Sequence, residues 1–105
     1  MLFQISSALL DACVLGVLAQ ESAYGYILTR KVKEVVDVSE STLYPVLRRL
    51  LKEDLLESYD QPYDGRNRRY YRLTNQGGEQ LCLYRQEWQE YKNNIDKLLL
   101  GGCEQ

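Results

Sequence analysis

Four arginines, Arg66, Arg68, Arg69 and Arg72, fall within seven residues, directly behind the turn pair Asp64-Gly65 and interleaved with Tyr70 and Tyr71. Guanidinium groups offer forked N–H donors that match phosphate and carboxylate oxygens, so such a cluster can hold an extended anion. A second cationic group, Arg48, Arg49 and Lys52, follows Ser41, Thr42 and Tyr44 at helical spacing. Other chemistry is scarce. Histidine is absent, which removes His-based triads, His general bases and His-containing zinc sites. Cys13, Cys82 and Cys103 lie too far apart for a Cys-only metal site, and Cys13 and Cys82 lack the adjacent basic residue that would activate a nucleophile. The residue types predict binding rather than catalysis, with no metal and no cofactor.

The elements that position these residues must come from a single domain, because 105 residues support one modest core and not two. Overall the chain is acidic, with a net charge of −2, yet the charge is unevenly spread. From Arg30 to Arg72 there are ten basic residues against eight acidic ones, and the remainder has three against seven. That distribution argues against a nonspecific nucleic-acid coat and permits a local anion-binding face. No apolar run reaches membrane-spanning length, no basic segment precedes the first apolar stretch, and the odd, scattered cysteines suit a reducing compartment; a cytoplasmic protein is expected.

Three helices and a hairpin follow from the patterning. Ile5, Leu9, Ala12, Cys13, Leu15 and Leu18 predict a first helix from Ile5 to Leu18, buried on more than one side. A second starts after Ser22, a candidate cap, with Leu28, Val32 and Val35 or Val36 on its apolar face. Ser39 or Ser41 caps a third, whose buried side is Leu43, Val46, Leu47, Leu50 and Leu51 and whose other side carries Ser41, Thr42, Tyr44, Arg48, Arg49 and Lys52. Pro45 conflicts with a helix interior, so this helix either starts near Ser41 or starts at Ser39 with a kink. "LLESY" and "RRYYRL" read as two strands joined by the loop "DQPYDG".

The last segment has Thr74 as a candidate N-cap and Leu81, Tyr84, Trp88, Tyr91, Ile95 and Leu98 at intervals of 3, 4, 3, 4 and 3. An a/d stripe this long is too much for a small domain to cover alone, so a second copy of the chain is the expected partner.

Three helices followed by a two-stranded wing describe a winged helix-turn-helix in a mainly α fold, with the head at 1–73 and a dimerisation helix at 74–105 as one structural unit. In such a fold the third helix enters the major groove of double-stranded DNA and the wing follows the backbone or minor groove. The bland alternative is that the arginines only guard a solvated strand edge.

The segments "YGYILTRKV", "STLYPVLRRLLKEDLLES" and "GRNRRYYRLTNQGGEQL", with the long last helix, resemble the PadR family of bacterial transcriptional regulators in its short, single C-terminal helix form. The resemblance runs from about Leu9 to Leu98. It implies a homodimeric repressor that reads an inverted repeat, often with an ATGT and ACAT core, and leaves it on binding an effector. By that analogy Ser41, Thr42, Tyr44 and Arg48 meet bases or nearby phosphates, Lys52 meets backbone, and Arg66, Arg68 and Arg69 serve the wing. The family's glycine after the third helix is Asp54 here, a residue that can still adopt the left-handed conformation.

Trp88 has two readings, plain dimer core or one wall of a pore. The chain is similar to the multidrug-binding branch of the family, which implies a pore that takes flat aromatic compounds, lined by Ile5, Ala8, Leu9, Ala12, Tyr84, Trp88 and Lys92. Arg85 and Lys92, if they point inward, would favour neutral or anionic aromatics over cationic dyes. The competing function is a ligand-sensing or protein-interaction module on the same fold with weak or no DNA binding.

Overall fold

The structure, a computed structural model, describes residues 2–101; Cys103 lies outside them. Helix α1 spans Ser7–Gln20 and starts two residues later than the periodicity suggests, because Ser6 caps it by accepting from the Leu9 N–H at 3.1 Å. It has two occupied sides. Leu10, Val14, Leu15 and Leu18 enter the main core, while Leu9, Ala12 and Cys13 are half-buried on the side that meets the last helix. Leu10 and Val14 fall outside the expected apolar set, since a run that is apolar on nearly every side does not reveal which side faces the core.

A two-residue strand β1, Ala23–Tyr24, comes next, followed by α2 at Gly25–Lys33. Ser22 therefore does not cap α2; its N-cap is Tyr24, without a side-chain bond. Of the alternatives Val35 and Val36, Val36 packs on the core and Val35 is exposed.

Helix α3 spans Glu40–Lys52 and is capped by Ser39, whose Oγ accepts from the Thr42 N–H at 3.2 Å. It runs on through Pro45, which sits on the exposed side and removes only the bond that would reach back to Ser41. Leu43, Val46, Leu47 and Leu50 are buried as the spacing demands, whereas Leu51, expected with them, is only half-buried against the same core. The helix ends in a Schellman pair: the Leu55 N–H bonds the Leu50 carbonyl, the Asp54 N–H bonds the Leu51 carbonyl, and Asp54 takes φ 61°.

Strands β2, Leu56–Tyr63, and β3, Arg66–Leu73, are longer than expected. Their connection is only Asp64-Gly65, with φ 56° and 80°, the left-handed pair of a tight hairpin turn. The expected loop residues Asp60 to Tyr63 are strand. Pro62 fits because β2 lies at the edge of an antiparallel sheet of order β1-β3-β2, where a missing N–H costs no ladder bond.

Helix α4, Asn75–Leu100, is capped by Thr74, which accepts from the Gly77 N–H at 3.0 Å. At 1.5 Å per residue it is about 39 Å long, and it gives the molecule its extents of 59 × 28 × 20 Å.

Candidate nucleic-acid interface and the cavity beside the last helix

Ser41, Tyr44, Arg48 and Lys52 recur every three or four residues along α3, which puts them on one exposed stripe opposite the buried leucines. The hydroxyls of Ser41 and Thr42 lie 2.9 and 3.1 Å from Ser39 Oγ, so both share the capping network at the start of the helix. Arg49 leaves the stripe. Its guanidinium bonds the buried Asp11 carboxylate of α1 at 2.6 Å, with Glu53 at 3.8 Å, and hydrogen bonding to Asp11 holds its pKa above the ordinary arginine value. It fixes α3 to α1 instead of facing outward.

On the wing the arginines are not equivalent. Arg69 has Asp60 at 3.7 Å, and Arg72 has Glu57 at 2.9 Å with the Tyr59 ring below it. Arg48, Lys52, Arg66 and Arg68 form no ion pair with a described residue. Tyr71 turns inward onto the core, and its hydroxyl pKa is raised by burial, whereas Tyr70 stacks on Tyr59 on the outer face of the sheet. Because β1 pairs only with Tyr70 and Tyr71, the edge of β3 from Arg66 to Arg69 has no strand beside it on that side.

Along that edge lies an open cleft of about 360 Å³ lined by Tyr44 of α3, Arg66, Asn67, Arg68 and Arg69 of β3, and Tyr24, Gly25 and Tyr71. The third helix and the wing thus share one concave, cationic, aromatic surface. Ser41, Thr42, Arg48 and Lys52 lie outside the cleft, along α3. Tyr24, Gly25 and Asn67 were missed by sequence reasoning, since only the pairing of β1 with β3 brings the "YGY" segment to the wing.

Thr74 and Gly77 tie this head to α4. Thr74 Oγ1 donates to the Asp54 carbonyl at 2.6 Å, and its N–H bonds the Leu55 carbonyl. Gly77 presses so closely on the Leu55 carbonyl oxygen that an added Cβ would overlap it. The T-x-x-G pattern is thereby explained: Thr to cap and bridge, Gly to let the helix approach the turn behind α3.

Two adjoining cavities lie between α1 and α4, about 490 and 430 Å³, within the range of small-molecule sites. Leu9, Ala12, Tyr84 and Trp88 line both; Ile5 lines the larger and Ala8 the smaller. Lys92 lines neither, and Glu87 lines the smaller one while Arg85 lines the larger. The walls therefore carry one charge of each sign, and the basis for expecting a preference for anionic aromatics is gone.

The stripe on α4 divides. Leu81 is 4% exposed inside the head's own core, so it is not an interface residue, and Tyr84 is half-buried against the same core. Trp88, Tyr91 and Leu98 are exposed, and Ile95 is partly so. Among the described residues no group of three or more His, Cys, Asp or Glu side chains could hold a metal, and no helix is long and apolar enough to cross a membrane.

A helix-turn-helix with a two-stranded wing, joined to one long C-terminal helix, defines a winged-helix regulator. The model of the PadR-like family of transcriptional regulators matches residues 14–82, and the chain belongs to that family. It is 36% identical over 85 residues to transcriptional regulator Rv3488 of Mycobacterium tuberculosis, covering 80% of this chain and 76% of that protein. Among solved structures, smu.1704 of Streptococcus mutans matches with a TM-score of 0.89 at 36% identity, over 96% of this chain and 95% of that one. A PadR-like transcriptional regulator of Bacillus cereus matches with 0.80 at 36% identity, over 87% and 91%.

Proposed function

We propose that this transcriptional regulator acts in the cytoplasm as a homodimeric repressor that binds an inverted repeat in double-stranded DNA and is released by a flat aromatic effector. The observation that carries the DNA part is the cleft in which Tyr44 of α3 meets Arg66, Arg68 and Arg69 of the wing. Ser41, Thr42, Tyr44 and Arg48 read bases or adjacent phosphates, Lys52 and the wing arginines hold backbone, and two heads sit about 34 Å apart. Trp88, Tyr91, Ile95 and Leu98 form the contact between copies, whose exposed surfaces need a cover. An effector enters between α1 and α4, where Leu9, Ala12, Tyr84 and Trp88 line both cavities.

The test is fluorescence anisotropy with an ATGT/ACAT inverted repeat and a scrambled duplex across a salt series. Wild type should prefer the repeat and lose affinity steeply with salt, and the Arg66, Arg68, Arg69 triple alanine variant should bind more weakly with a shallower slope. Failure of wild type to bind either duplex at low salt would leave the ligand-sensing or protein-interaction reading in its place.

A further inference from the structure

Arg68 occupies a position unlike that of any other wing arginine. Its guanidinium carbon lies 4.4 Å from the Tyr63 ring centroid and 4.7 Å from that of Tyr24. Tyr63 belongs to β2, Tyr24 to β1 and Arg68 to the central strand β3, so one side chain is held by rings from both neighbouring strands. Tyr24 is braced in turn by Tyr26 at 6.2 Å and Tyr70 at 5.7 Å, and it is also the residue from which α2 starts.

With both rings engaged, the N–H edge is the part of the guanidinium left to bind an anion. No carboxylate of a described residue claims that edge, although Asp60 and Glu57 serve Arg69 and Arg72 on the same hairpin. Arg68 also lines the cleft with Tyr44, Arg66 and Arg69. We infer that Tyr63 and Tyr24 are positioning residues that hold Arg68 flat, so that its N–H edge meets a DNA phosphate from a plane fixed before binding. This rests on the DNA-binding reading above and adds to it a division of labour on the wing. Arg66 contributes a charge with no ion-pair partner among the described residues, Arg69 and Arg72 are partly neutralised, and Arg68 is pre-ordered. An arginine already restricted in its rotamers loses less freedom when it binds, and its forked donors suit a phosphate bidentately.

The experiment compares wild type, Tyr63→Phe, Tyr63→Leu, Arg68→Lys and the Tyr63→Leu/Arg68→Lys pair in duplex binding at fixed salt. Tyr63 is 55% exposed near the wing tip, so these variants leave the core intact. Tyr63→Leu and Arg68→Lys should each weaken binding about fivefold, the pair no more than either alone, and Tyr63→Phe should bind like wild type. Nitrogen-15 spectra of the free protein give a readout without DNA: the Arg68 Nε–H proton should be shifted upfield by the rings, and Tyr63→Leu should return it toward the exposed-arginine position. Binding by Tyr63→Leu within twofold of wild type, or losses that multiply in the pair, overturns the positioning role while leaving DNA binding standing. Failure of wild type itself to bind duplex overturns both, and an Arg68 signal at the exposed position in wild type overturns the clamp alone.

Discussion

The two halves of α4 share one spacing and meet opposite fates. Gly77, Leu81 and Tyr84 lie against the head, Gly77 on the turn behind α3 and Leu81 in the core itself. Trp88, Tyr91 and Leu98 continue the same 3, 4 rhythm with 40%, 59% and 81% of their surface exposed. Periodicity therefore states that a helix has an apolar side, but not which surface covers it. The near half stabilises the protomer, and the far half is available to a second molecule.

The sharpest way to break this division is Gly77→Ala, which drives a methyl group into the Leu55 carbonyl and should cost about 3 kcal/mol in urea unfolding. Wild-type stability in that variant would mean that α4 can swing away from the head at no cost. Leu81→Ala should cost a similar amount, about 3 kcal/mol, by opening a cavity in a core that also holds Leu15 and Leu50. Leu98→Lys should instead act on self-association, weakening the proposed dimer about tenfold in sedimentation equilibrium. Should Leu98→Lys leave association untouched, the far half is not the contact between copies.

A smaller effect is expected at the joint between α1 and α3. Arg49→Ala strips the buried Asp11 carboxylate of its 2.6 Å partner, for a loss of about 1 kcal/mol, held down because the guanidinium side of the pair is open to water. Asp11→Asn, which removes the charge along with the need to compensate it, should lose less. Equal stability of Arg49→Ala and wild type would show that water replaces the guanidinium.

The same contrast explains what was legible beforehand. The buried face of α3, the Thr74 cap and the left-handed Asp54 follow from local rules, in which spacing, hydroxyl chemistry and backbone sterics act over four or five residues. Strand β1 was hidden because two residues carry no period and its partner lies some 47 positions away, at Tyr70 and Tyr71. The sequence pattern implies a shorter hairpin because Pro62 has the character of a loop residue, and only the edge position of β2 lets it sit in a strand. The candidate site followed the same rule. Its residues on α3 and the wing were readable one element at a time, whereas the capture of Arg49 by Asp11, the stacking of Arg68 and the entry of Glu87 into the cavity wall are products of tertiary contact.

Cysteine reactivity offers the gentlest probe of the seam between α1 and α4, because it perturbs neither half. Cys82 is exposed on α4, while Cys13 is half-buried in the wall of the larger cavity, where desolvation pushes its thiol pKa above the ordinary value. A raised pKa leaves less thiolate at any given pH, and thiolate is the species that reacts. With Cys103→Ser to remove the third thiol, a small uncharged alkylating reagent near pH 8 should modify Cys82 first and Cys13 about tenfold more slowly or less. The Cys13 rate should go on climbing with pH beyond the range in which an unperturbed thiol has levelled off. Any aromatic compound that fills the cavity should slow Cys13 and leave Cys82 unchanged, which makes the ratio of the two rates a direct measure of occupancy. Equal rates at the two positions, read by mass spectrometry of the digested protein, would mean that α4 opens away from α1 faster than the reagent reacts, and the near half of the helix would then be far less firmly held than its contacts with the head require.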